Sequence, residues 1–248
     1  MTDGILEFDP PDLGGTAAVV TGGGSGIGEA CAEALVQCGA TVFLVGRRAD
    51  PLREVARRLG PEGRVFQGDV ADGQAMNHLA KAIQAEGYEA VHTLVNNAAI
   101  LGPRDTVENV DGATFAEVMR INATGLWTVT HALMPLLLAA RPEANIVNLS
   151  SSVGRRGRAT WGPYAASKAA VESMTQTWAQ EFEDVPIRVN ALNPGGTRTA
   201  MRAQAMPDED PGTLPAPEQI VPSLLFFLSP QSRAERVSGR SLDARDFM

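Results

Sequence analysis

The sequence predicts an α/β protein built on a single doubly wound parallel sheet. Short apolar segments alternate with segments of helical periodicity along the whole chain of 248 residues. The apolar segments are nearly continuous, as expected for strands that are buried on both faces. No linker, composition break or internal repeat divides the chain, so we expect residues 1–248 to form one domain.

Seven strands are predicted where apolar runs end in glycine or polar residues. They are Thr16–Thr21, Thr41–Val45, Arg64–Gln67, Val91–Val95, Asn145–Leu149, Ile187–Leu192 and Ser241–Ala244. Helices are predicted between them at Ser25–Cys38, Pro51–Leu59, Asp72–Glu86, Asp111–Ala139, Pro163–Asp184 and Glu218–Leu228. We expect Pro135 to kink the long fourth helix, because proline removes a helical hydrogen bond.

The segment Gly195–Pro217 interrupts this alternation. It contains four prolines and an acidic cluster at Asp208–Asp210. It is too long for an ordinary connection, so it is either a functional lid or disordered. Its position after the carboxyl end of a strand favours a substrate lid at about residues 196–217.

Composition excludes several classes of function. The net charge of −8 argues against broad nucleic-acid binding, which needs a positive surface. No apolar run reaches the roughly 18–20 residues that span a bilayer, and the N-terminus lacks the basic and apolar regions of a secretory signal. A cytoplasmic location is therefore expected. His78, His92 and His131 have no metal-ligand spacing, so no metal site is predicted.

A glycine-rich loop, Thr21–Gly28 (TGGGSGIG), joins the first strand to the first helix. Glycines let the backbone approach a pyrophosphate, and the helix N-terminus offers free N–H groups and a positive dipole end. The strand before the loop and the helix after it favour a dinucleotide site over a flexible turn. The candidate contacts are Gly22, Gly24, Ser25, Gly26, Ile27 and Gly28.

The choice of dinucleotide is expected to be made after the second strand, where Arg47 and Arg48 stand. A carboxylate here would bind the ribose hydroxyls of NAD, whereas arginine pairs with a 2′-phosphate. We therefore predict NADP, with NAD as the less favoured cofactor; the alternative is that both arginines are solvated loop charges. Asp69 and Val70, after the third strand, are candidates for the adenine. Asp69 could instead cap the next helix, although Asp72 is better placed for that role.

Tyr164 and Lys168 lie four residues apart on a predicted helix, which places both side chains on one face. A phenol has a pKa near ~10. A nearby ammonium, the helix N-terminus and the positive cofactor together are expected to lower it by about 2–3 units. Tyr164 is therefore the candidate proton donor and acceptor. Ser151 is the candidate for holding the substrate oxygen, and chemistry alone does not separate it from Ser150 or Ser152.

Taken together, these features resemble the short-chain dehydrogenase/reductase family. The matching motifs, in the family's order, are the loop Thr21–Gly28, Asn-Asn-Ala at Asn96–Ala98, Asn122, Ser151, Tyr-x-x-x-Lys at Tyr164–Lys168, and Pro-Gly at Pro194–Gly195. The resemblance implies a Rossmann-like sheet of seven strands in the order 3-2-1-4-5-6-7. It also implies a dinucleotide-binding catalytic domain that prefers NADP.

The resemblance also implies a role for each matching residue. Tyr164 would be the acid in reduction and the base in oxidation, and Lys168 would hold the nicotinamide ribose and tune Tyr164. Ser151 would polarise the carbonyl, and its spacing to Tyr164 selects it from the three serines. Asn122 would anchor a proton-relaying water, unless it only satisfies backbone groups of a strand. The implied cofactor contacts also include Asn97, Ala98, Pro194, Gly195, Thr197 and Thr199.

Thr199 has an alternative role as a helix cap before the lid. The expected activity is hydride transfer between NADP(H) and a small carbonyl or alcohol. The alternatives are an NAD-dependent dehydrogenase of the same family, an epimerase or dehydratase, and a non-catalytic nucleotide-binding protein. The two long helices resemble those that build family oligomers, so a homodimer or homotetramer is expected.

Several arginines fall in the loops expected to surround the substrate, and we hypothesise that some recognise an anionic group. They are Arg155, Arg156, Arg158, Arg198 and Arg202. The alternative is that they pair with the acidic cluster at Asp208–Asp210. Arginines that pair with this cluster would not be available to bind an anionic substrate.

Overall fold

The computed structural model describes residues 8–247, and its strands form one parallel sheet in the order β3-β2-β1-β4-β5-β6-β7. The strands are β1 (Ala17–Thr21), β2 (Thr41–Gly46), β3 (Gly63–Gln67), β4 (Thr93–Asn96), β5 (Ala144–Leu149), β6 (Ile187–Asn193) and β7 (Ser241–Asp243). The predicted fold class and strand order are confirmed. Part of the N-terminal stretch used to argue against a secretory signal, residues 1–7, lies outside the described residues.

Helices cover both faces of the sheet. They are α1 (Gly26–Gln37), α2 (Ala49–Leu59), α3 (Gly73–Ala85), α4 (Gly112–Met119), α5 (Gly125–Ala139), α6 (Ser152–Arg155), α7 (Gly162–Glu181), α8 (Ala200–Ala205), α9 (Val221–Leu228) and α10 (Pro230–Ala234). Successive residues of β1 enter different cores: Ala18 and Val20 pack in the core with Phe227, whereas Val19 packs in the core with Leu133. Both faces of β1 are therefore buried, which explains its unbroken apolar sequence.

The predicted helix Asp111–Ala139 is interrupted in the structure. A π-helical turn at Arg120–Thr124 separates α4 from α5, and Pro135 lies inside α5. The prediction of one continuous helix is therefore wrong: the interruption lies at the π turn, which ends eleven residues before Pro135, and the kink at Pro135 stays a prediction. The turn contains the buried Asn122, whose side chain bonds to the backbone of Ile100. This tertiary bond is absent from the local helical pattern, so the pattern predicted one continuous helix.

The proposed lid segment is structured. It contains α8 and a 3₁₀ turn at Pro211–Thr213. Arg202 donates to both carboxylate oxygens of Glu209, at 2.5 and 2.6 Å, and closes the segment on itself. The helix predicted at 218–228 begins as a 3₁₀ turn at Pro217–Ile220 and continues as α9.

The described residues, 8–247, also bear on membrane and metal sites. No helix in this range combines the length and apolar character needed to cross a bilayer. In the same range, no three His, Cys, Asp or Glu side chains are grouped so that they could hold a metal ion. Cys31 and Cys38 are free thiols, and burial raises the pKa of Cys31 to about 12.

Candidate active site

A cavity of about 630 Å³ opens where the strands end. Its volume is in the range of small-molecule and cofactor sites, and its position at the carboxyl ends of parallel strands is where such folds bind ligands. The structure brings all but two of the predicted site residues to its wall. The predicted residues on the wall are Gly22, Gly24, Ser25, Gly26, Ile27, Arg47, Arg48, Asp69, Val70, Asn97, Ala98, Ser151, Tyr164, Lys168, Pro194, Gly195, Thr197 and Thr199. Gly28 and Asn122 lie behind it.

The glycine loop is fixed by the chain that follows β4. The Thr21 hydroxyl accepts hydrogen bonds from the backbone N–H groups of Asn97 and Ala98, at 3.0 Å each. The Asn97 amide donates to the carbonyl oxygens of Thr21 and Gly22, at 3.0 and 3.2 Å. A Cβ atom on Gly28 would lie 2.3 Å from the Gly22 oxygen. Gly28 therefore permits the close approach that shapes the loop, although it does not touch the cavity.

The start of α1 is open toward this loop. Ser25 is the N-cap residue, and its side chain makes no capping hydrogen bond to any part of the chain that the structure describes. The N–H groups of the first helical turn have no partner within the helix, and the helix dipole makes this end positive. Gly26 has a φ of 58°, which a side chain would strain. These features fit a pyrophosphate group, as the sequence predicts.

Arg47 and Arg48 stand at the cavity edge just after β2, and both are exposed. Within residues 8–247, neither makes a salt bridge, whereas the nearby Arg53 and Arg58 on α2 do. Their charges are thus available at the end of the cavity where the ribose of a dinucleotide would lie. An anionic substituent on that ribose would be matched by both guanidinium groups.

Asp69 is anchored within the protein. Its carboxylate accepts from the N–H of Ala71 and from Arg120, both at 3.0 Å. Burial acts to raise the pKa of Asp69, but these two donors outweigh it and hold the pKa below its usual range. Asp72 caps α3, so the cap alternative for Asp69 is wrong. Sequence reasoning did not foresee Arg120, because the contact joins β3 and the π turn across 51 residues.

Tyr164 and Lys168 lie together in the first half of α7. The Lys168 ammonium nitrogen lies 5.6 Å from the centre of the Tyr164 ring. The same nitrogen donates to the carbonyl oxygen of Leu149, at 2.6 Å. Lys168 is only 3% exposed. The tyrosine and the lysine therefore share one wall of the cavity, as their spacing predicts.

The pKa values of this pair depart from the expectation for Tyr164. Burial raises the pKa of Tyr164 to about 12 in the protein alone, whereas the predicted fall also counts the positive charge of the bound cofactor. Burial also lowers the pKa of Lys168 to about 8, against the opposing influence of the Glu172 carboxylate. Because the phenolate would lose its hydration, the loss of solvent dominates over the nearby ammonium. In the protein alone Tyr164 is thus a protonated phenol across the neutral range.

The structure distinguishes the three serines that follow β5. Ser150 is buried, and its hydroxyl donates to Glu172. Ser152 is exposed, begins α6 and does not line the cavity. Ser151 is half-buried on the cavity wall. Its position thus agrees with the serine that the spacing selects.

Asn122 bonds to the backbone of the segment that follows β4 rather than to a strand, and its role as anchor of a water stays a prediction. Its amide donates to the Ile100 oxygen and accepts from the Ile100 N–H, both at 2.8 Å. The same amide donates to the Ser167 hydroxyl at 3.0 Å, and Ser167 precedes Lys168. Asn122 therefore connects the chain after β4 to the helix that carries Tyr164 and Lys168.

The lid begins beside the glycine loop. The Thr197 hydroxyl donates to the Pro194 oxygen at 3.1 Å, and the Thr199 hydroxyl accepts from the Arg202 N–H at 3.2 Å. Thr199 is thus the cap of α8, as the alternative for it states, and it also lines the cavity. A Cβ atom on Gly26 would lie 3.2 Å from the Thr199 methyl group, so the lid and the loop are in near contact.

An apolar cluster surrounds Tyr164. Leu101, Val153, Trp161 and Ala205 are buried in it, and Tyr164, Ala165, Met201 and Met206 pack against it. Sequence reasoning did not name the α8 residues Met201 and Ala205, although both fall in the predicted lid at 196–217. Their spacing of four on a short helix is a signal that could have identified them.

The arginines nominated for an anionic substrate are partly engaged elsewhere. Arg202 pairs with Glu209, inside the acidic cluster, as the alternative for it states. Arg155 pairs with Asp243. Arg156, Arg158 and Arg198 do not line the main cavity. Arg104 stacks over Trp161 at 4.7 Å and donates to the Ala205 oxygen.

The geometry can be compared with known proteins. The profile of the short chain dehydrogenase family matches residues 16–210. The chain belongs to the short-chain dehydrogenase family. This short-chain dehydrogenase is 41% identical over 233 residues to the uncharacterised oxidoreductase YciK of Escherichia coli K12, covering 92% of this chain and 90% of that protein.

Solved structures agree with this assignment. A short-chain dehydrogenase from Salmonella enterica serovar Typhi superposes with a TM-score of 0.91 at 37% identity, over 97% of this chain and all of the other. One from Escherichia coli CFT073, solved in complex with NADPH, gives a TM-score of 0.89 at 39% identity over 95% and 98% of the two chains. This chain is therefore an oxidoreductase of that family.

Proposed function

We propose that this short-chain dehydrogenase transfers hydride between NADP(H) and the carbonyl or alcohol group of a small apolar molecule. The observation that carries the proposal is the placement of Tyr164, Lys168 and Ser151 on the wall of the cavity that the glycine loop closes at its other end. Residues 1–248 would act as one Rossmann-type catalytic domain, with residues 196–217 as its substrate lid. The cytoplasmic location and the homodimer or homotetramer stay predictions.

Each proposed catalytic group has a defined task. When bound, the cofactor supplies or accepts the hydride. In reduction Tyr164 donates its phenolic proton to the carbonyl oxygen, and the Ser151 hydroxyl donates a hydrogen bond to the same oxygen. The Lys168 ammonium stabilises the phenolate that results. Asn122 fixes α7 through Ser167 and is proposed to anchor the water that returns a proton toward Lys168.

The raised pKa of Tyr164 is consistent with this direction. A phenol whose pKa is about 12 remains protonated at neutral pH and is ready to act as an acid. Its conjugate base must then be stabilised after the transfer, which is the task proposed for Lys168. Oxidation needs the phenolate instead, so alcohols are expected to react faster as pH rises.

The preference for NADP is supported by Arg47 and Arg48 at the cavity edge, which make no salt bridge with the described residues, and by the NADPH complex of the E. coli CFT073 relative. Replacing both arginines with alanine is expected to weaken NADPH binding by about 100-fold or more, because each charge-assisted hydrogen bond contributes about 1.5–3 kcal/mol and each ~1.4 kcal/mol is about tenfold in affinity. NADH affinity should change less than twofold. Nucleotide fluorescence titration measures both.

The matched control is Arg57→Ala, which removes an exposed arginine from the last turn of α2. It changes the net charge in the same direction but lies outside the cavity wall. A double variant that loses NADPH and NADH affinity equally would contradict the assignment of the 2′-phosphate to these arginines. It would instead place both arginines against a part of the dinucleotide that NADP and NAD share.

The apolar cluster around Tyr164 supports a neutral substrate. A carboxylate there would lose its hydration, and the nominated or neighbouring arginines Arg104, Arg155 and Arg202 are engaged within the protein. We expect benzaldehyde to be reduced with a kcat/KM about tenfold or more above that of 4-carboxybenzaldehyde. The assay follows the loss of NADPH absorbance at ~340 nm, where the reduced nicotinamide absorbs.

The same assay tests the whole proposal. Alcohols and NADP⁺ should give the reverse signal. Absence of turnover with aldehydes, ketones and alcohols alike, in protein that binds NADPH, would refute the catalytic proposal in favour of a nucleotide-binding role. Faster reduction of 4-carboxybenzaldehyde than of benzaldehyde would support the hypothesis that arginines recognise an anionic substrate.

A further inference from the structure

A buried carboxylate lies directly behind the proposed catalytic groups. Glu172 is 6% exposed and stands on α7, one helical turn after Lys168. Its oxygen accepts hydrogen bonds from the hydroxyls of Ser150 and Ser241, the latter at 2.9 Å. Arg155 approaches it to 3.9 Å. Glu172 does not line the cavity, and the mechanism above leaves it without a task.

The contacts of Glu172 continue into the loop that follows β6. Arg155 pairs with Asp243 on β7, and Asp243 accepts from the Asn193 amide at 2.7 Å. The Asn193 oxygen in turn accepts from the N–H of Gly195 at 3.1 Å. Polar contacts thus run without a break from Glu172 to the Pro-Gly turn on the cavity wall.

Burying the Glu172 carboxylate costs hydration free energy. An ionised carboxylate taken out of water loses several kcal/mol of hydration, which only hydrogen bonds and opposite charges offset. An apolar side chain at this position would avoid the cost. Instead, Ser150, Ser241 and Arg155 each provide a partner from a different part of the fold, and Ser150 itself lines the cavity.

Charged groups face Glu172 from α7, α6 and β7. Lys168 lies on α7 itself, at the spacing of four that brings side chains together. Arg155 faces it from α6, and Asp243 on β7 accompanies Arg155. Lys168 is the buried cation of the proposed site. The Glu172 carboxylate opposes the fall of the Lys168 pKa that burial causes.

We propose that Glu172 is a positioning residue: its carboxylate ties Ser150, and through it Ser151, to α7, and its charge keeps Lys168 in the ammonium form. The inference rests on the proposed function for its catalytic meaning. The electrostatic relation between Glu172 and Lys168 is a property of the protein alone and can be tested without turnover.

The chain is well suited to a direct measurement, because it contains only two lysines, Lys81 and Lys168. Lys81 is exposed on α3 and serves as an internal reference. Protein labelled with ¹³C at the lysine ε-carbon gives one signal for each, and the chemical shift follows the charge of the amine. The titration midpoint of Lys168 is then read from the free protein.

Glu172→Gln removes the charge and keeps the shape and a carbonyl acceptor. We expect the Lys168 midpoint to fall by about one pH unit, within the usual effect of one neighbouring charge, while Lys81 is unchanged. Glu181→Gln, which removes an exposed carboxylate from the end of the same helix, should move neither signal. An unchanged Lys168 midpoint in Glu172→Gln would overturn the inference. If that variant does not fold, Glu172→Met removes the same charge with an apolar side chain of similar volume.

Turnover gives a second readout. Reduction needs the Lys168 ammonium, so activity falls as pH rises through the Lys168 pKa, and a lower pKa moves this alkaline limb to lower pH. Glu172→Gln should shift the limb by the amount seen in the titration and lower kcat up to about tenfold on the alkaline side of it, with little change in the KM for NADPH. Loss of thermal stability with an unmoved limb would show a purely structural role. Inactive wild-type protein would refute the proposed function, whereas the titration would still decide the charge relation.

Discussion

Tyr164→Phe is expected to lower kcat for carbonyl reduction by about a thousandfold, the middle of the range for loss of a general acid. The substitution removes the only proton donor proposed to touch the carbonyl oxygen and keeps the ring that packs against the apolar cluster and Lys168. NADPH affinity should therefore stay within about twofold. Stopped-flow oxidation of NADPH measures the first quantity, and fluorescence titration measures the second.

The chain supplies a matched control in Tyr88, its other tyrosine. The Tyr88 hydroxyl donates to Thr41 at 2.7 Å and lies outside the cavity wall. Tyr88→Phe should keep wild-type kcat and lose a little stability, because one hydrogen bond contributes about 1 kcal/mol. Wild-type kcat in Tyr164→Phe would remove Tyr164 from the mechanism. Equal losses of kcat in both variants would point to a general effect of tyrosine removal.

The sequence predicted the fold because its decisive signals are local. Buried parallel strands need apolar residues on both faces, so β1 and β2 are visible as unbroken apolar runs. A phosphate-binding turn needs glycine where φ is positive, as at Gly22 and Gly26. A pair that shares a helix face needs a spacing of three or four, as for Tyr164 and Lys168.

Other features depend on contacts between distant segments, and local patterns do not contain them. The π turn around Asn122 follows from a bond to Ile100, 22 residues away. Glu172 looks like an ordinary helical charge until folding places Ser241, 69 residues on, against it. Arg155 and Arg202 could have bound a substrate, but the fold gives them Asp243 and Glu209.

The pKa of Tyr164 shows a third kind of limit. The sequence indicates which charges can be near the phenol but not how much water the folded chain removes from it. Burial against Trp161 and its neighbours decides the direction. Sequence reasoning counted the attraction of Lys168 and omitted this loss of hydration. The sequence predicts that Lys168 is near Tyr164 and that its charge lowers the Tyr164 pKa. It does not predict whether this attraction or the loss of hydration is larger.

Gly28→Ala is expected to weaken NADPH binding by about 100-fold or more, equivalent to about 2.7 kcal/mol. The added Cβ would lie 2.3 Å from the Gly22 oxygen and 2.5 Å from the Asn97 amide nitrogen. The first of these neighbours is backbone and cannot rotate away, so the glycine loop must open. Its opening would break the Asn97 bonds that hold the loop at the entrance of α1.

Gly112→Ala is the matched control, because it adds the same methyl group at the start of α4 with nothing within 4 Å. It should keep NADPH affinity and leave stability within about 1 kcal/mol of wild type. Affinity is measured well below the unfolding temperature. A destabilised Gly28→Ala protein is then still folded, and its NADPH affinity reflects the change in the glycine loop. NADPH should then raise the unfolding temperature of wild type and Gly112→Ala but not of Gly28→Ala. Undiminished affinity in Gly28→Ala would mean that the dinucleotide does not depend on the loop, and the cofactor site would have to be placed elsewhere.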